Sequence, residues 1–125
     1  MSLFSSLFNV GGPTVRRVTP AEAAQLVAAG QAALIDVREP EEWSDGVAAP
    51  AALLPLSDLS GSRQKWQPFL EKNRDKELIL YCLSGVRSGS AARLLAKEGF
   101  RTANAGSIYD WSSAGLPVSK PKGRR

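Results

Sequence analysis

The sequence predicts an α/β domain in which a mainly parallel sheet carries helices on both faces. Strand and helix signals alternate from Gly12 onward. Strands separated by helices pair in parallel, because each connection must cross a face of the sheet. The chain has 125 residues, of which 43% are apolar. That is the size and composition of one domain around one core.

Each element has a local reason. Thr19-Pro20-Ala21-Glu22 opens a helix: Thr19 suits the cap, Pro20 the first helical position, and Glu22 completes a capping box. Ala23, Leu26 and Val27 give it an apolar face, and Gly30 stops it. Ala33 to Val37 reads as a short buried strand. Glu39 to Asp45 reads as a brief acidic helix with a solvated start, favoured by the helix dipole. Ala52-Leu53-Leu54 is a second short strand. Ser57 to about Asn73 reads as helix, interrupted near Ser60-Gly61 and again near Pro68. Glu77 to Tyr81 is the strongest strand, and the Gly/Ser-rich stretch Ser84 to Gly89 reads as a turn. Ala91 to Lys97 is expected to be helical, with Leu94 and Leu95 facing inward and Gly99 ending it. Arg101 to Asn104 is the last strand and Ile108 to Ala114 the last helix. Trp43 and Trp111 are read as packing residues.

Counts limit the chemistry. There is one cysteine and no histidine. An intramolecular disulfide is therefore impossible, and Cys₂His₂ and Cys₄ zinc sites lack their ligands. No Ser-His-Asp or Cys-His pair can form within the chain. A nucleophile here has to be activated without histidine.

The formal charge of +4 is matched by Lys120, Lys122, Arg124 and Arg125 alone. The basic excess thus belongs to a tail at 120–125 and not to a nucleic-acid-binding face. Residues 1–14 are read as an N-terminal arm and 15–119 as the domain. In the arm, Leu3, Phe4, Leu7 and Phe8 recur at helical spacing. No basic n-region of a signal peptide is expected there. No stretch reaches the ~18 apolar residues of a membrane span. A cytoplasmic location is the expectation, since free-thiol chemistry favours a reducing compartment.

Cys82 follows the central strand directly, at the carboxyl edge where open α/β sheets place their sites. In the next residues, Leu83, Ser84, Gly85, Val86, Arg87 and Ser88, Gly85 permits a tight curve with positive φ. Such a curve turns successive N–H groups inward as an anion-binding nest, and the following helix adds its own free N–H groups. Arg87 can close the ring with a charge. A cysteine at the base of that cradle is expected to ionise below the ordinary thiol value. The alternative is a small apolar cysteine buried at a strand end.

Here the sequence resembles the rhodanese-like sulfurtransferases. Cys82 to Ser88 looks like the family's active-site loop. Leu34 to Trp43, LIDVREPEEW, is similar to its (L/I)IDVREPEE(Y/F/W) segment. Gly46 to Pro55 aligns with GHIPGAxNIP, and Ala105 to Trp111 followed by Ala114 to Val118 looks like AGGxxxW…AGLPV. The resemblance covers about residues 15–119. Val47 stands where the family often has histidine, and Pro50 and Ser107 stand at family glycines. Leu83 stands where many thiosulfate-using members carry a basic residue.

The resemblance implies a single rhodanese-like domain with a central, mainly parallel five-stranded sheet. It implies a sulfurtransferase in which Cys82 takes a sulfane sulfur from a small anionic donor such as thiosulfate. The resulting persulfide passes it to an external thiol, cyanide or protein acceptor. Leu83 to Ser88 would form the cradle, with Arg87 helping to hold the donor. The resemblance places Asp36 and Arg38 beside the site, where bracing is the expected role. No cofactor or metal is implied. The rival functions are a phosphatase or arsenate reductase and a catalytically silent binding module. Tyrosine-phosphatase-type loops place five residues between Cys and Arg, whereas Cys82 and Arg87 enclose four.

Overall fold

Along the two central strands, β2 (Ala32–Asp36) and β5 (Glu77–Cys82), nearly every side chain is buried. Alternating residues therefore face two different cores, as a sheet covered on both sides requires. Leu34, Ile79 and Tyr81 pack with Ala23, Ile108 and Trp111 on one face. Ile35, Leu78, Leu80 and Cys82 pack with Leu59, Trp66, Leu70 and Leu95 on the other.

The computed structural model describes residues 14–121. Five strands form one sheet in the order β1-β6-β5-β2-β4, and every pair in it is parallel. The other three are β1 (Arg16–Arg17), β4 (Ala52–Leu53) and β6 (Thr102–Ser107). A separate antiparallel pair joins β3 (Val47–Ala48) to β7 (Val118–Ser119). Helices α1 (Pro20–Ala28) and α6 (Ile108–Ser113) contribute to the first core. Helices α3 (Leu56–Leu59), α4 (Trp66–Lys72) and α5 (Val86–Lys97) contribute to the second. The short helix α2 (Pro40–Trp43) lies between β2 and β3. No helix among the described residues is long and apolar enough to cross a membrane.

The predicted elements are present with shifted bounds, and the differences have physical causes. Thr19 Oγ1 accepts the Glu22 N–H at 3.0 Å as expected. The Glu22 carboxylate, however, pairs with Arg16 at 2.9 Å instead of closing a capping box. Pro68 does not interrupt α4. It is the third residue of that helix, where no intrahelical partner exists for an N–H. The break lies between α3 and α4, where Arg63 has φ 61°. The Asp58 carboxylate accepts the N–H groups of Gln64, Lys65 and Trp66 and so starts α4. Leu95 is fully buried, but Leu94 is 38% exposed, so only one of the two faces inward. Trp111 is buried and Trp43 half-buried.

Sequence reasoning missed β1, β3 and β7, each only two residues long. Such runs carry no periodicity to detect. The apolar repeat at Leu3 to Phe8 lies outside the described residues. So do most of the arm and all of the basic tail except Lys120 and Pro121.

Candidate active site

β5 runs between β2 and β6, so its last residue, Cys82, is flanked by the ends of both neighbours. The register sets Asp36 beside Tyr81 and Ser107 beside Cys82. The chain then turns sharply. Gly85 adopts φ 96°, a left-handed conformation strained for any side chain, and is the N-cap of α5. A Cβ there would also lie 3.4 Å from Gly106 Cα. Helix begins at Val86 and not at Ala91. The predicted turn is therefore only Leu83 to Gly85, and Val86, Arg87 and Ser88 form the first turn of α5. That change matters, because a first helical turn offers N–H groups that no carbonyl of its own helix takes up.

Backbone donors at the start of α5, its N-cap included, meet the sulfur. Cys82 Sγ accepts the Gly85 N–H at 3.0 Å and the Ser88 N–H at 3.4 Å. The Ser88 hydroxyl lies 3.4 Å from the same sulfur. Cys82 and Ser88 are both buried, at 0% exposure. Burial by itself pushes the thiol up. Hydrogen bonds from the Ser88 hydroxyl and from the Ser88, Ser84 and Gly85 N–H groups outweigh it, so the thiol ionises below its ordinary value. The direction agrees with the expectation for a cysteine at the base of such a cradle.

Arg87 departs from expectation. Its guanidinium makes no hydrogen bond to the sulfur. Its two terminal nitrogens donate to the Glu42 carboxylate at 2.8 and 2.9 Å. Glu42 in turn accepts the Glu39 N–H at 2.9 Å in a reciprocal cap of α2. Glu39 accepts from the Ser57 N–H and hydroxyl at 3.0 and 2.7 Å. Glu39 and Glu42 thus tie three segments together and are not simply a solvated helix start. Only Glu41 is exposed.

The hydrogen bond from Arg87, opposed by burial and aided by the Glu39 N–H, lowers the Glu42 carboxyl to about 2. A depressed carboxyl stabilises the fold above its unfolded pKa and loses that contribution as pH falls through the folded value. Wild-type stability is therefore expected to decline between about pH 4.5 and about 2 through this pair. Glu42→Gln is expected to flatten that part of the profile, measured as urea midpoints across the window. An unchanged profile would show that the pair does not couple to folding.

Asp36 and Arg38 form a buried pair. Arg38 donates to Asp36 from Nη2 at 2.8 Å and from Nε at 3.1 Å, and its own N–H adds a bond of 2.9 Å. Arg38 Nη2 also donates to the Gly46 carbonyl at 2.7 Å, and Nη1 to the Glu42 carbonyl at 3.4 Å. Among the described residues, none of these bonds reaches residues 82–88. The pair holds the C-terminal side of α2, and α2 presents Glu42 to Arg87.

Beside the cysteine loop lies an open cavity of about 140 Å³, lined in part by Arg38, Gly46, Leu83, Ile108, Tyr109 and Val118. Leu83, Tyr109 and Val118 are 39%, 65% and 43% exposed, so its rim is largely apolar. Two contributors to the site escaped the sequence reading. Glu42 was hidden in an acidic cluster of ordinary appearance. Asn104 is 5% exposed inside β6. The available signal was its place in Thr102-Ala103-Asn104-Ala105, a polar residue in an otherwise small, buried run.

A family model described as "Rhodanese-like domain" matches residues 19–114. A protein named "Sulfurtransferase" from Allochromatium vinosum is 35% identical over 92 residues, covering 72% of this chain and 80% of that one. The mitochondrial thiosulfate sulfurtransferase RDL2 of Saccharomyces cerevisiae is 33% identical over 98 residues, covering 71% of this chain and 66% of that one. The chain spans only 50% and 56% of two further relatives, from Bacillus subtilis and Synechocystis. Among solved structures, a rhodanese-related protein from Thermoplasma volcanium superposes with TM-score 0.69 at 30% identity, covering 83% of this chain and 97% of that one.

Proposed function

The chain belongs to the rhodanese-like domain family, and from that premise we propose that it is a sulfurtransferase carrying sulfane sulfur on Cys82. The family and its sulfurtransferase relatives support the general activity. The observation that carries the assignment to Cys82 is the pair of N–H donors at 3.0 and 3.4 Å from a sulfur whose ionisation is favoured.

The proposed chemistry has two displacements. The Cys82 thiolate attacks the outer sulfur of thiosulfate. An S–S bond to Cys82 forms as the bond to the sulfonate sulfur breaks, and sulfite leaves with the electron pair. The Cys82 persulfide anion remains. Cyanide or an external thiolate then attacks the terminal sulfur and the Cys82 thiolate is regenerated. The first turn of α5 stabilises negative charge on sulfur in both steps. The acceptor is external, because the chain has one cysteine. Cys82 is fully buried, so its surroundings must move for a donor to reach the sulfur.

Arg87 acts by fixing the loop to α2 through Glu42, and the donor is held by the N–H groups. That arrangement also disfavours phosphoryl chemistry, since the arginine that would match phosphoryl oxygens is engaged with Glu42. The test is intact mass after incubation with thiosulfate, followed by cyanide. One added sulfur atom that departs as thiocyanate is expected. No adduct with thiosulfate, mercaptopyruvate or a persulfide donor would overturn the reading and leave a binding module.

A further inference from the structure

Asn104 is a buried amide with no hydrogen bond to the sulfur, yet it joins the two loops of the site. Its Nδ2 donates to the Gly85 carbonyl at 3.0 Å. Its Oδ1 accepts the Ser88 hydroxyl at 2.8 Å and the Gly106 N–H at 3.0 Å. Gly85 and Ser88 both donate their N–H groups to Cys82 Sγ, at 3.0 and 3.4 Å. A buried amide with its partners met in this way immobilises them. The surroundings leave little else to do so. Gly85 and Gly106 carry no side chain, so neither loop can supply a side-chain bond of its own at these positions.

We infer that Asn104 is a positioning residue that holds the thiolate's donors in place, with no contact to the reacting atoms. The inference deepens the reading of Cys82 as the nucleophile and rests on it. The Ser88 hydroxyl shows how the device works. It has one hydrogen and two acceptors within reach, Asn104 Oδ1 at 2.8 Å and Cys82 Sγ at 3.4 Å. With a thiol, the shorter bond to Asn104 keeps the hydroxyl in register beside the sulfur. With a thiolate, the charge-assisted bond is the stronger of the two, and the hydrogen turns to Sγ. Asn104 Oδ1 then keeps the Gly106 N–H, so no buried acceptor is left unpaired.

The charged groups around this network come from several elements. They are Arg87 of α5 with Glu42 of α2, the Asp36–Arg38 pair at the end of β2, and Asp110 of α6 and Arg17 of β1 beside Gly106. Neutral substitutions at 88 and 104 leave all of them unchanged. A shift in Cys82 ionisation then reports hydrogen bonding.

The test is a pH titration of thiolate ultraviolet absorbance on the full chain, with Cys82→Ser as the blank. Asn104→Ala and Ser88→Ala are each expected to raise the midpoint by about one pH unit, the scale of one lost hydrogen bond to a charge. The double variant is expected to shift by less than the sum, because the two substitutions remove parts of one network. Asn104→Ser, whose side chain is too short to bridge both loops, serves the same purpose if Asn104→Ala does not fold. An unchanged midpoint in a folded variant would reduce Asn104 to packing. A lowered midpoint would mean that it competes with sulfur for the Ser88 hydrogen. Either result overturns the inference. The titration needs no sulfur donor, so it stands or fails separately from sulfur transfer itself.

Discussion

Cys82→Ser is expected to leave the fold intact and to remove sulfur uptake entirely. Serine is nearly isosteric, and its hydroxyl can accept the same Gly85 and Ser88 N–H groups. Thermal unfolding should therefore stay within a few degrees of wild type. Reactivity does not survive the exchange. In the proposed reaction the attacking species is an anion, and N–H groups that tip a thiol toward thiolate fall far short of ionising an alcohol. Oxygen is also the poorer nucleophile toward sulfur. No other thiol can substitute, because Cys82 is the chain's only cysteine. Intact mass after thiosulfate should show no added sulfur, and thiocyanate production should fall by about 10³-fold or more, the scale seen when a nucleophile is removed. Residual turnover near wild type would place the sulfur elsewhere.

Asp36→Ala is expected to be the most destabilising of the substitutions considered, by about 3–5 kcal/mol. Arg38 is 2% exposed and Asp36 0%, so the substitution leaves a guanidinium buried without its counter-charge. Burial lowers the proton affinity of Arg38, and the Asp36 carboxylate more than restores it. Arg38 therefore stays charged and bears the full cost of losing its partner. The loss is a large share of a stability typically near 5–15 kcal/mol. Urea unfolding measures it. Replacing both residues by apolar ones of similar volume, Asp36→Leu with Arg38→Met, should recover much of the loss, since no uncompensated charge remains. A single-variant loss below about 1 kcal/mol would show that water reaches the guanidinium. The same pair carries a functional consequence. Arg38 holds the Gly46 and Glu42 carbonyls, so its disturbance is expected to loosen Glu42 from Arg87 before it reaches Cys82.

Much of this molecule could be read from the chain alone. Ala33 to Val37 and Glu77 to Tyr81 are mostly apolar runs too short for helices, and the polar turns around them mark them as buried strands. Thr19-Pro20 announces a helix by local chemistry, and the structure places its cap bond at 3.0 Å. Gly85 after a strand announces a cradle, because few other residues accept a φ of 96°. What escaped was of a different kind. Arg16–Arg17, Val47–Ala48 and Val118–Ser119 are strands only because a partner lies alongside. Leu94 and Leu95 both sit on a helix near its inward face. Which of them is buried depends on the angle at which α5 meets the sheet.

The cysteine and glycine of the loop, and the absence of histidine, made backbone donors the expected means of activating a thiol here. These are properties of single residues and of their immediate neighbours. The main partners of Arg87 and Asn104 lie 16 to 45 residues away in the chain, and only the fold brings them together; those of Arg38 lie within eight residues, and the fold decides that the pair is buried. A hydrogen bond or ion pair is decided within about 3 Å, a distance at which separation in sequence says nothing. The tertiary structure therefore turned Arg87 from the sulfur to Glu42, set Asp36 against Arg38 in the interior, and placed Asn104 behind the donors of Cys82.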